Sequence, residues 1–171
     1  MLIQPEEEWL EEVDELDRIV GRRRRSEIHR LGLRHRSVHI LVFDSSGRLF
    51  LQKRSMSKDN NPGLWDTSAA GHVDPGESYE QSALREIDEE LGISEPPPLE
   101  LLFKITASKY TGWEFVQVYR AVYDGPMRLN EAEIDEGRWL PISEIQDWQA
   151  QGGMGLTVTF QWIWQSFCRL P

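Results

Sequence analysis

Between Gly71 and Ile93 the chain has few options other than to turn, cap and run as a helix with one apolar and one acidic side. Pro75-Gly76 makes a turn, and Ser78 offers its hydroxyl to the free amides of a first helical turn. Gly92 supplies the residue that most easily closes a helix in the left-handed conformation. The spacing predicts a helix over 77–91. At ~100° per residue, Ala83, Leu84, Ile87 and Leu91 share a face that packs on a sheet. Glu86, Glu89 and Glu90 share the arc beside it, and Asp88 points to solvent. Such carboxylates repel one another by a few tenths of a kcal/mol per pair. They also crowd the last two turns, where the helix dipole favours cations by ~0.3–1 kcal/mol per charge. On the helix alone, a solvated acidic face and a cation site fit equally well. A hard divalent ion such as Mg²⁺ or Mn²⁺, which takes carboxylate, water and phosphate oxygens, reverses both penalties. Arg85 is placed to pair with Glu89 or to reach back to Glu77, and either pairing holds a carboxylate rotamer.

The rest of the composition narrows the partners. A chain of 171 residues suits one domain and buries enough surface to need no staple. Its single cysteine, Cys168, forbids an internal disulfide and favours a reducing compartment, so a cytoplasmic location is expected. No basic leader opens the sequence, and no apolar run approaches the ~20 residues of a membrane helix. A net charge of −10 repels nucleic acid polymers and anionic membranes. It also repels a phosphate-bearing small molecule, which then needs a bound cation or a local basic pocket. Lys53, Arg54 and Lys58 are the basic residues that meet this need; otherwise they mark an exposed strand end.

Along the chain, Trp9–Gly21 fits a short helix or a hairpin. Arg22 to Arg25 reads as a solvated turn, and Ser26 as the cap of a short helix stopped by Gly32. Ser37–Phe43 reads as a buried strand forming a hairpin with Leu49–Leu51, followed by a loop over 55–63. Two strands are expected over 99–110 and 114–123, and a short one over 137–141. Ser143 is the expected cap of a helix toward Ala150. Phe160, Ile163, Trp164 and Phe167 are spaced like a helix face. This aromatic C-terminus would suit a homodimer interface. Trp65 and Trp113 suit core packing or stacking on a substrate. The interleaving of strands and helices indicates an α/β fold with a mixed β-sheet covered by helices.

Gly71, five residues, Glu77, seven residues, Arg85-Glu86-Ile87, one residue, Glu89-Glu90, one residue and Gly92-Ile93 resembles the complete Nudix box, spanning 71–93. His29-Arg30, Arg36-Ser37-Val38-His39, Leu51-Gln52-Lys53-Arg54-Ser55 and Pro62-Gly63-Leu64-Trp65 before Gly71-His72 resemble the isopentenyl-diphosphate isomerase branch of that superfamily. The resemblance implies a Nudix-like α/β/α sandwich, with residues 1–34 as an N-terminal extension packed on a domain over 35–171. It implies Mg²⁺- or Mn²⁺-dependent cleavage of the diphosphate bond in a nucleoside diphosphate linked to another group, or in a related small diphosphate. It places metal on Glu86, Glu89, Glu90 and the Gly71 carbonyl, and pairs Arg85 with Glu77. Glu133 is the first candidate for a general base and Glu114 the second, with Glu114 also a candidate ligand. His72 matches an isomerase metal ligand. The alternatives are an isomerase and a non-catalytic diphosphate-binding module. Against the isomerase, Ala70 stands where the isomerases carry a catalytic cysteine, and Val116 stands where they carry the second of two glutamates.

Overall fold

The computed structural model describes residues 7–171; residues 1–6 of the expected extension lie outside them. Trp9–Val13 (β1) and Ile19–Arg24 (β2) form an antiparallel hairpin, which settles the segment that periodicity left open. Asp14 makes its turn by accepting from the amides of Leu16 and Arg18. The four arginines therefore end a strand and begin a helix rather than forming a turn. Arg22 and Arg24 lie over the Trp9 ring, and Arg23 pairs with Glu12 and Glu27. Arg25–Leu31 (α1) starts without a side-chain cap, because the Ser26 hydroxyl donates to Glu7 instead. Gly32 closes it at φ 62°.

His35–Phe43 (β3) is the buried axis of the main sheet. Its alternating side chains send Val38, Ile40 and Val42 to one face and Leu41 and Phe43 to the other. Leu49–Arg54 (β4) meets β3 only at Phe43↔Leu49. The expected hairpin is thus a fork. Trp65–Asp66 (β5) pairs with β4, while Ala69–His72 (β6) pairs with β3 over Ser37–Ile40. Ser68 sits at the branch, where its hydroxyl donates to the Phe50 carbonyl (2.5 Å) and accepts from the Val42 amide (2.8 Å).

Tyr79–Leu91 (α2) is followed by Glu100–Ile105 (β7), Glu114–Val122 (β8) and Ile134–Leu140 (β9). β8 lies parallel to β3 along its whole length, from His35↔Glu114 to Phe43↔Val122, and β7 pairs beyond it. β9 pairs with β4. The strand order is β5-β4-β3-β8-β7. Ile142–Ala150 (α3) and Val158–Phe167 (α4) complete four helices among the described residues. α2 packs Ala83, Ile87 and Leu91 on the Val38 face, and α3 and α4 pack Ile145, Phe160, Ile163 and Trp164 on the Leu41 face. The result is the expected α/β/α layering around a mixed sheet. The C-terminal aromatics are thus largely used in the core, although Trp162 stays outside, 5.6 Å from the Tyr110 ring. Ser143 does not cap α3, which starts from Pro141, whereas Thr157 caps α4 by accepting from the Phe160 amide. Leu84 departs from the expected apolar face at 38% exposure, and Ser82 is buried in its stead. The buried strip of α2 is rotated toward its acidic edge, and the reason lies in the site. No helix among the described residues is long and apolar enough to cross a membrane.

Candidate active site

Both ends of α2 are fixed locally. Ser78 and Gln81 cap it reciprocally, and Gly92 ends it at φ 66° with its amide on the Asp88 carbonyl. The acidic edge of the helix then lies against β6. A Cβ on Gly71 would stand 2.0 Å from Glu86 Oε1, so glycine alone leaves room for this carboxylate. Glu90 is 6% exposed; its Oε2 accepts from Gln52 Nε2 at 2.6 Å and from the Ala70 amide at 3.2 Å. Burial pushes the Glu86 carboxyl up to about 7 and that of Glu90 up to about 8, the latter raised further by the Glu86 charge. Glu89 is more open to solvent.

Arg85 ties these groups together. Its Nη1 donates to Glu86 Oε1 (2.8 Å) and Glu89 Oε2 (3.2 Å), while Nε and Nη2 donate to Glu77 and Nη2 to the His72 carbonyl (3.0 Å). The two pairings that spacing left as alternatives are therefore made at once. Burial opposes the Arg85 charge, but Glu77 and Glu86 hold its pKa above the ordinary arginine value.

A second cluster forms where three registers meet. The parallel β3–β8 register sets His35 beside Glu114, the β3–β6 register sets Ser37 beside His72, and α1 delivers His29. One ligand atom each from His29, His35, His72 and Glu114 lie within 4.8 Å of one another. The three imidazole rings are 5.1–5.3 Å apart. Against desolvation, Glu114 and Glu8 raise His72 to about 9, whereas burial and the neighbouring His72 and His35 lower His29 to about 4. Glu114 is held well below the usual carboxylate range by His35 and His72 despite its burial. His35 Nε2, 3.4 Å from Glu114, is sealed from solvent and has no hydrogen-bond partner among the described residues. Imidazole nitrogens with one carboxylate suit a transition metal or zinc.

Both clusters open into one cleft of about 990 Å³. Gly71, His72, Glu86, Glu89 and Glu90 line it on the α2 side, with Arg85 and Glu114. Arg54, Lys58 and Glu133 line it on the β4 side, and there Lys58 pairs with Glu133. Two expected residues lie elsewhere. Strand alternation sends Gln52 and Arg54 to the cleft side of β4 and turns Lys53 away, opposite Trp65 and Glu136. Glu77 stands behind Arg85 rather than on the cleft wall. Trp65 packs on Trp148, while Trp113 lines the cleft. Spacing gave no site role to His29, His35, Gln52 or Arg25, which grips Asp59 across the cleft with two bonds of 2.7 and 3.0 Å. One signal was available: the chain has only four histidines, and all four sit in the cleft wall or the cluster beside it.

The chain belongs to the Nudix family, whose NUDIX domain profile matches residues 33–158. It is 37% identical over 142 residues to an uncharacterized Nudix hydrolase of Yersinia pestis, covering 81% of this chain and 75% of that one. It is 33% identical over 159 residues to an isopentenyl-diphosphate Delta-isomerase of Burkholderia multivorans, covering 90% and 89%. Among solved structures, the crystal structure of DR0079 from Deinococcus radiodurans superposes with a TM-score of 0.74 at 31% identity, covering 85% and 90%. The protein is a Nudix-type hydrolase acting on pyrophosphate bonds, a class that generally requires divalent metal ions.

Proposed function

We propose that this chain is a Mg²⁺- or Mn²⁺-dependent pyrophosphohydrolase of a nucleoside diphosphate linked to another group, or of a related small diphosphate, working in the cytoplasm. The observation that carries this reading is the pair Glu86 and Glu90. Both are buried against Gly71 and Ala70 in a cleft wall, and burial displaces both carboxyls upward. Arg85 pairs with Glu86, while Glu90 meets only the neutral donors Gln52 and Ala70 among the described residues and is left in need of counter-charge. A doubly charged cation supplies that counter-charge, so the donor set fits the metal. Glu86, Glu89, Glu90 and the Gly71 carbonyl are the residues that would hold it. Once bound, such an ion neutralises phosphate oxygens and activates water.

The other side chains supply binding and order. Arg85 fixes the rotamers of Glu86 and Glu89, and Glu77 fixes Arg85. Arg54 and Lys58 contact phosphate oxygens. Glu133, paired with Lys58 on the cleft wall, accepts the proton of the attacking water at its carboxylate. Lys53 takes no part. The experiment is a diphosphate panel with Mg²⁺ or Mn²⁺ and phosphate-release detection, run beside the Glu89→Gln, Glu90→Gln double variant. Turnover retained in that variant overturns the metal assignment.

One feature favours a second reading. The cluster of His29, His35, His72 and Glu114 lies where the isomerase resemblance places a metal ligand. Allylic isomerisation also needs a proton-transferring group beside Gly71, and the Ala70 methyl provides none.

A further inference from the structure

Trp113 stands on the rim of the cleft, 37% exposed, with φ at 65°. The left-handed region is disfavoured for a bulky aromatic residue and persists only where neighbours over-determine it. Here they do. Gly112 precedes it at φ 64°, and Ser108 and Thr111 cap the single turn Lys109–Thr111 reciprocally. The Trp113 amide donates to the Ser108 carbonyl at 2.7 Å, and its own carbonyl accepts from the His35 amide at 3.1 Å. The indole edge seats on Gly32, where a Cβ would come within 3.1 Å of Nε1, and the Arg34 guanidinium lies 5.9 Å from the ring centroid. None of this serves the core, since Trp113 belongs to neither hydrophobic cluster among the described residues. Glycine or asparagine would take the same backbone with less strain. What the strain retains is the ring.

A cleft of about 990 Å³ exceeds what two phosphates fill, so a diphosphate bound there carries a further group into it. The other aromatic ring on that rim, Tyr110, is already engaged by Trp162 and by Lys109. The cleft that Trp113 lines is largely polar, with Asn60, Asn61, Thr111 and Thr159 on its walls and Val158 among the few apolar side chains. Such a wall gives a prenyl tail few apolar partners. It suits a flat heterocycle whose face meets an indole and whose edges accept and donate hydrogen bonds.

We infer that Trp113 is a specificity-determining residue, stacking on the base of a nucleoside diphosphate whose phosphates lie toward Glu86 and Glu90. This rests on the hydrolase reading above and narrows its substrate class. Base–aromatic stacking of ordinary strength corresponds to about a 5- to 150-fold change in affinity.

The test compares the wild type with Trp113→Asn, which tolerates the left-handed backbone, and Trp113→Phe, which keeps a ring. Steady-state cleavage of ADP-ribose, CDP and dimethylallyl diphosphate is measured with Mg²⁺, and ADP-ribose binding is measured by calorimetry in EDTA. For the two nucleotides, Trp113→Asn raises KM about 5- to 150-fold with kcat within about threefold, and Trp113→Phe recovers most of the loss. The KM for dimethylallyl diphosphate does not move. An unchanged nucleotide KM in Trp113→Asn overturns the inference, as does an equal rise for dimethylallyl diphosphate. A wild type that binds ADP-ribose in a Trp113-dependent way yet cleaves nothing sinks the hydrolase reading and leaves the stacking standing. A wild type that neither binds nor cleaves a nucleotide ends both. Thermal unfolding of each variant separates a purely structural role, which would shift Tm and leave the KM ratio between nucleotide and prenyl substrates unchanged.

Discussion

Replacing Glu90 by Gln should make the metal-free protein more stable and the metal-loaded protein useless. In the fold this carboxyl titrates near 8 rather than at its ordinary 4.5, because burial and the Glu86 charge disfavour its ionised form. A carboxyl whose folded pKa is raised gives stability that is fully present below pH 4.5 and lost as the pH rises toward 8. At pH 7.5 that loss amounts to about 4 kcal/mol at ~1.36 kcal/mol per unit, or about 2–4 kcal/mol once local relaxation is allowed for. Glutamine removes the titration and keeps a carbonyl for the donors Gln52 Nε2 and Ala70 N, so no buried partner is orphaned. In EDTA at pH 7.5, the variant should melt about 5–15 °C above the wild type. The gap should narrow as the pH is lowered to 5. Added Mg²⁺ should raise the wild-type Tm and leave that of the variant nearly unmoved, with diphosphate cleavage lost. A metal-free Glu90→Gln protein that melts below the wild type at pH 7.5, or one that Mg²⁺ stabilises as strongly, would refute the argument from buried charge.

Other outcomes follow from the same geometry. Gly71→Ala places a methyl group where the Glu86 carboxylate lies and should push that carboxylate aside, cutting kcat far more than it lowers Tm, read by phosphate release and thermal melts. Arg85→Lys cannot hold Glu77, Glu86, Glu89 and the His72 carbonyl at once; a ~10- to 100-fold loss of metal affinity or rate is expected, measured by Mg²⁺ titration. Isopentenyl diphosphate incubated with the protein should give no dimethylallyl diphosphate by NMR, since Ala70 carries no acid or base.

The layers of the fold and the acidic edge of α2 were legible because each rests on local rules. Ser78, Gly92 and the 3.6-residue spacing define the helix, and the alternation around Val38 defines the central strand. What escaped was set by pairing between distant segments. Leu84 was assigned to the core from the wheel alone, whereas the close approach of Glu86 to Gly71 rotates the helix and leaves it exposed. The convergence of His29, His35 and His72 on Glu114 depends on two strand registers and one helix, which no spacing along the chain reveals. The direction of Lys53 depends on its strand's phase, since a one-residue shift turns a side chain to the opposite face, and pairing sets it opposite Trp65 and Glu136. The hairpin of Trp9–Arg24 was undecidable from its apolar period and was resolved by the aspartate turn.

The branching of the main sheet has a consequence for what the mouth of the cleft admits. β3 and β4 share one residue pair and then part company, so the opening is a wedge between diverging strands rather than a hollow dug into packed side chains. At the apex, one serine hydroxyl spans the two backbones, and just beyond it Gln52 reaches from β4 to both the Ser68 carbonyl and Glu90. The angle of the wedge and the seating of the acidic edge are therefore mechanically one thing. Trimming Ser68 to alanine should loosen the hinge of the jaw, visible as faster deuterium uptake at Val42, before it disturbs either packed layer.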